Sequence, residues 1–118
     1  MGASVAAANV EAAIDQRAPL ARTSTELLVF QVANCAVCDL VHTHIRPAYQ
    51  RSAAATETPM RFIDVNSIDE SSLGLAQPIS IVPTIVLMRE GREVDRLTGY
   101  TGTDIFFEAL EGMLKRLD

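Results

Sequence analysis

Cys35 and Cys38 are the two cysteines of this chain, and they share one Cys-Ala-Val-Cys unit. The apolar run Leu27-Leu28-Val29-Phe30-Gln31-Val32 leads into that unit, and a helical pattern comes after it. A strand that ends in CxxC at the start of a helix must bring the strand end and the helix start together in one tight loop. It is also the sequence form of a thiol–disulfide redox centre. A purely structural disulfide fits poorly, because a loop closed by cysteines three apart removes little entropy from the unfolded chain. Metal binding through Cys35, Cys38 and His42 fits poorly as well. Cys38 and His42 share a helix face, but zinc asks for four ligands and there is no second cysteine pair. No metal is expected.

Bulk properties narrow the partners. A length of 118 residues suggests one domain, and 48% hydrophobic residues suffice for a packed core. With no Trp and few aromatics, Leu, Ile, Val and Ala must fill that core. The net charge of −5 argues against nucleic acid, whose phosphates require a basic face. No apolar run approaches the roughly 20 residues of a membrane span. Met1 to Ser4 reads as an engineered start, and no basic segment before an apolar core marks a signal peptide.

Along the chain, residues 1–25 read as an irregular or partly helical lead-in. Val5, Val10 and Ile14 are loosely spaced on one face, and Pro19 would end such a helix. Residues 26–118 read as one domain. A buried strand is expected over Glu26 to Gln31. A helix is then expected from near Cys35, with Leu40, Val41, Ile45, Ala48 and Tyr49 on its apolar face and a kink at Pro47. Ser52 to Pro59 reads as a loop and Met60 to Val65 as a second strand. A short helix through Ile68, Leu73 and Leu75 is expected, capped by Asn66 or Ser67. Ile85 to Met88 and Glu93 to Leu97 form a hairpin about Glu90-Gly91. A final helix is expected after a Thr101 or Thr103 cap, with Ile105, Phe106, Ala109, Leu110, Met113, Leu114 and Leu117 as its stripe.

The helix start determines the chemistry. The thiolate is the attacking species in disulfide exchange, and free N–H groups at a helix start stabilise an anion. Cys35 stands at that start, so it is expected to attack a substrate disulfide. Cys38, one turn further in, is expected to be more buried and to resolve the mixed disulfide. No cofactor is needed, because the dithiol itself carries two electrons.

Beyond CxxC, Val82-Pro83-Thr84 precedes the hairpin, and Gly91 and Gly99 lie eight and sixteen residues after Pro83. Jointly these resemble the thioredoxin-like superfamily, over about residues 26–117. The resemblance implies an α/β fold with a central mixed four-stranded sheet and helices on both of its faces. It also implies a cis Val82–Pro83 bond packed against Cys35, and substrate backbone pairing with Val82. The Arg46-Pro47-Ala48-Tyr49 segment and Gly99-Tyr100-Thr101-Gly102-Thr103-Asp104-Ile105-Phe106-Phe107 resemble, more narrowly, the small periplasmic thioredoxins of bacterial sulfur-oxidation (Sox) clusters. This narrower resemblance implies a periplasmic reductase, its leader absent from these residues. Such a reductase keeps a partner protein's cysteine reduced, the partner being a sulfur carrier, and draws electrons from an upstream thiol donor. A disulfide-donating oxidase and a non-catalytic binding module are the alternatives.

The chain departs from common thioredoxins at several positions. Asn34 stands where they have Trp, and Ala36-Val37 where they have Gly-Pro. Val29 replaces their buried acid and Met60 their lysine, which points to other proton-transfer groups or to one dedicated partner. His42 is expected to be solvated although it lies near the thiols, and His44 half-buried. Asp64, Glu70, Glu90 and Asp95 show no acid–base spacing. Tyr100 is expected to pack, and Phe107 to be partly exposed.

Overall fold

In the computed structural model, which describes residues 25–117, the apolar run before the cysteines is strand β1, Thr25–Gln31. Its residues from Glu26 to Phe30 are all buried, because both faces of the strand are covered. Strand β2, Met60–Asp64, lies parallel to β1; β3, Thr84–Arg89, lies antiparallel to β1. β4, Arg92–Thr98, completes the sheet antiparallel to β3, giving the order β2-β1-β3-β4. This is the mixed four-stranded sheet expected from the sequence. Glu90 and Gly91 both have positive φ, 53° and 79°, which suits a two-residue hairpin to the twist of its strands.

The helix after the cysteines departs from its expected form. It consists of α1, Ala36–Leu40, a π-helical turn, Val41–Ile45, and α2, Arg46–Gln50. Pro47 has no N–H for the carbonyl four residues back and would crowd it. The π turn opens the helix just before, with Arg46 N–H donating to the Val41 carbonyl. Pro47 then falls in the first turn of α2, where the missing N–H costs little. Cys38, Val41, Ile45 and Tyr49 face inward, whereas Leu40 is 41% exposed and not on the apolar face.

Two other segments correct the sequence reading. The expected loop after Ser52 contains a one-turn helix α3, Ala54–Glu57, fixed by Tyr49 Oη donating to the Thr58 carbonyl at 2.5 Å. The expected helix near Ile68 is instead two 3-10 turns, Val65–Ser67 and Glu70–Ser72. Their caps are Asp64 and Asp69, which accept from Asn66 N at 2.8 Å and Ser71 N at 3.1 Å. Short acidic side chains close such turns locally, in competition with an α-helix.

The alternation of β1 divides the core into two layers. Leu27, Val29, Ile85 and Leu87 meet Val41, Ile45 and Tyr49, together with Phe106, Leu110 and Met113 of α4, Thr103–Lys115. On the other face, Leu28, Phe30, Ile63, Val86 and Met88 meet Val65, Ile68, Leu73, Leu75 and Ile79. Among the described residues, the α-helices thus flank the first face, and the 3-10 turns with the irregular chain after them cover the second. The expected helix around Val5 to Ile14 lies outside the described residues.

α4 is capped differently from expectation. Gly102 is its N-cap and provides no side-chain bond, while the Thr103 hydroxyl pairs with that of Tyr100 at 2.9 Å. Ile105, expected in the apolar stripe, is 61% exposed.

Gly74 fixes the covering segment to the hairpin. Its φ is +77°, and a Cβ there would overlap the Gly91 carbonyl oxygen. Its own carbonyl accepts from Glu93 N at 3.0 Å. Gly74→Ala is therefore expected to destabilise the fold by at least about 2 kcal/mol. Urea unfolding will read this, and an unchanged midpoint would show that the close approach is not needed.

Candidate active site

β1 leaves the sheet at Gln31 and turns through Ala33-Asn34, with Asn34 at φ 60°, a left-handed conformation that Asn tolerates. Cys35 then caps α1 in an extended conformation, φ −110° and ψ 104°. Cys35 and Cys38 form a disulfide with a Cα–Cα distance of 5.2 Å. Cys38 N–H donates to Cys35 Sγ at 3.1 Å. Cys38 is buried at 2% exposure, while Cys35 is partly exposed. The two sulfurs are thus unequal. Cys35 is open to solvent in part, and a helix-start N–H points at its sulfur.

Topology brings the second predicted element to the same end of the sheet. Phe30 pairs with Thr84, so Pro83 lies level with the end of β1. The Val82–Pro83 bond is cis. Pro83 is buried and Val82 partly exposed. Gly99 N donates to the Pro83 carbonyl at 2.8 Å, and Thr84 Oγ1 to the Ile81 carbonyl at 2.6 Å. Upstream, Arg96 holds the approach by donating to the Gln77 and Pro78 carbonyls at 2.8 and 3.2 Å. Glu93 completes this clamp, pairing with Arg96 and accepting from Ala76 N at 2.9 Å. The Arg96 hydrogen bond holds the Glu93 carboxyl below its ordinary range.

Val29 is buried in the apolar layer, so no acid lies beneath the disulfide at that position. The chain does bury an acid, but elsewhere. Glu26 is 2% exposed, on the opposite face of β1, with Arg61 Nε 3.2 Å from its carboxylate. Sequence reasoning missed this pair. Its signal was a carboxylate within an apolar run and an arginine on the neighbouring strand.

The histidines reverse their expected environments. His42 is half-buried, with Nε2 2.6 Å from Gln31 Oε1. Its ring stacks on Phe62 at 4.0 Å and 22°, and the Arg46 guanidinium lies 5.1 Å from the Phe62 ring. Burial chiefly, then Arg46, lowers the His42 pKa, with Asp39 opposing them. His44 is exposed, not half-buried. Tyr100 packs on Phe106 at 5.7 Å, and Phe107 meets Phe106 edge-on while partly exposed. Three of the four carboxylates have structural duties. Asp64 caps a turn, Glu70 accepts from Ile79 N at 2.9 Å, and Asp95 pairs with Arg116.

A mixed four-stranded sheet with flanking helices and a CxxC disulfide at a helix start defines a thiol–disulfide oxidoreductase. The chain belongs to the thioredoxin-like domain family, whose model matches residues 16–114. Among solved structures it is similar to the periplasmic thioredoxin SoxS from Paracoccus pantotrophus. That similarity has 28% identity and a TM-score of 0.74, over 80% of this chain and 100% of the other. The fold is shared with Trxlp from Edwardsiella tarda at 20% identity and a TM-score of 0.61, over 86% of this chain and 92% of that one. It is shared also with a Malassezia sympodialis thioredoxin at 15% and 0.60, over 75% and 77%. No curated protein matches the chain.

Proposed function

We propose that this protein is a periplasmic reductase that keeps a cysteine of one partner protein reduced, the partner being a sulfur carrier. The observation that carries the reading is the asymmetry of the disulfide. Cys35 is reachable and faces the Cys38 N–H at 3.1 Å, while Cys38 is buried behind it. In the reduced protein, the Cys35 thiolate attacks the partner's disulfide. Cys38 then attacks Cys35 Sγ, the partner leaves as a thiol, and two electrons have moved to it. An upstream thiol donor restores the dithiol. Val82, partly exposed and just outside β3, presents backbone to the bound partner, and Pro83 holds that backbone in place. The likeness to a periplasmic thioredoxin at 28% identity supports the compartment.

The helix-start donor implies that the reduced Cys35 thiol titrates below the roughly 8.5 of a free cysteine. Thiolate absorbance against pH will show this, and a midpoint at or above the free value would remove the case for activation. The function itself is tested by deleting the gene. Differential alkylation of periplasmic proteins should then show one carrier cysteine accumulating in oxidised form. If no periplasmic cysteine changes state, the reading is overturned.

A further inference from the structure

A buried thiol must lose its proton as it attacks, so resolution by Cys38 requires an acceptor. Val29 and its apolar neighbours offer none. His42 does, and it has no part in the attack by Cys35. It lies four residues after Cys38 on the same helical run, and helical side chains lean back over the preceding turn. Its ring is also tied to Gln31, the last residue of β1 and four residues before Cys35. The imidazole is therefore held between the two arms of the loop that carries the disulfide, and the Phe62 stack fixes its plane.

We propose that His42, oriented by Gln31, accepts the Cys38 proton during resolution. This rests on the exchange reading above. Gln31 Oε1 can only accept, so Nε2 carries the hydrogen and Nδ1 keeps a free lone pair. As Cys38 Sγ bonds to Cys35 Sγ, the bond from Cys35 Sγ to the substrate sulfur breaks. The Cys38 proton passes to Nδ1, directly or through one water, and the substrate departs as a thiolate. That thiolate, or solvent, then takes the proton, and the ring returns to neutral. Two electrons pass from the cysteine pair to the substrate.

The groups around the ring suit this role. Phe62 and Gln31 are uncharged. Asp39 is exposed, and the Asp64 carboxylate on β2 is engaged by Asn66 N. Arg46 disfavours a second positive charge beside it, and together with burial keeps the imidazole neutral near pH 7.

Stopped-flow reaction of the reduced protein with dithiobis(nitrobenzoate) separates the steps. The first nitrothiolate release reports attack by Cys35, and the second reports resolution by Cys38. In the wild type, the second phase should rise with pH through a midpoint below 6.5, where His42 loses its proton, and then level off. In His42→Phe, that midpoint should vanish. The second phase should slow at least about tenfold relative to the first at pH 7, and should recover only in the alkaline range of a thiol. Gln31→Leu should slow it in the same direction by less, and decides the matter if His42→Phe does not fold. An unchanged second-phase profile in the folded variants would overturn the proposal. Absence of the first phase in the wild type would instead overturn the exchange function.

Discussion

Cys35→Ser should abolish disulfide exchange, because a serine hydroxyl cannot form the mixed disulfide that begins it. Cys38→Ser should do the opposite to the intermediate and accumulate it. With Cys35 partly exposed and Cys38 buried beside it, only Cys38 can discharge a substrate held on Cys35. Mixed with a periplasmic extract, the Cys38→Ser variant should therefore yield one major covalent adduct. That adduct should break down with reductant and fail to form in the Cys35→Ser, Cys38→Ser double variant. Non-reducing electrophoresis with mass spectrometry reads both results. Adducts formed equally well through Cys38 in the Cys35→Ser variant would reverse the assigned roles.

The largest expected effect on stability lies away from the cysteines. Glu26 is 2% exposed, and Arg61 is its charge partner across the parallel pair of β1 and β2. Arg61→Met leaves that carboxylate buried without the guanidinium, a change that costs about 3 kcal/mol. For a domain of this size, the thermal midpoint should fall by roughly 10 to 20 °C. Replacing both residues by Met should return the midpoint close to that of the wild type, since a buried ion pair gains little over an apolar pair of similar volume. The cycle of single and double variants isolates the coupling. If Arg61→Met is as stable as the wild type, the pair is not holding the second core layer together.

The strands were legible because β1 and β3 are buried on both faces and so read as continuous apolar runs. The site was legible for a different reason. Its two cysteines are close in sequence, and Pro83 is marked by glycines at fixed offsets. Less of the remainder was legible, because it depends on register across the sheet. Glu26 and Arg61 are 35 residues apart, and only the parallel pairing of β1 with β2 brings them together. His42 meets Phe62 of β2 through the same tertiary arrangement, which the general tendency of histidine to stay solvated could not foresee. Leu40 was expected inward for its apolar side chain and His44 for its place near the stripe, but the buried face runs through Cys38, Val41, Ile45 and Tyr49 and leaves both outside it. The turns at Asp64 and Asp69 were missed because Asn66 and Ser67 looked like equally good caps, and only geometry shows which carboxylate closes the turn.

Reductive exchange at the Cys35–Cys38 pair is tested most directly by the reduction potential of that pair. Equilibration against glutathione or dithiothreitol buffers, read by thiol labelling, should place it near the roughly −270 mV of a reducing thioredoxin. A value near the roughly −120 mV of a strong disulfide donor would contradict reductive exchange.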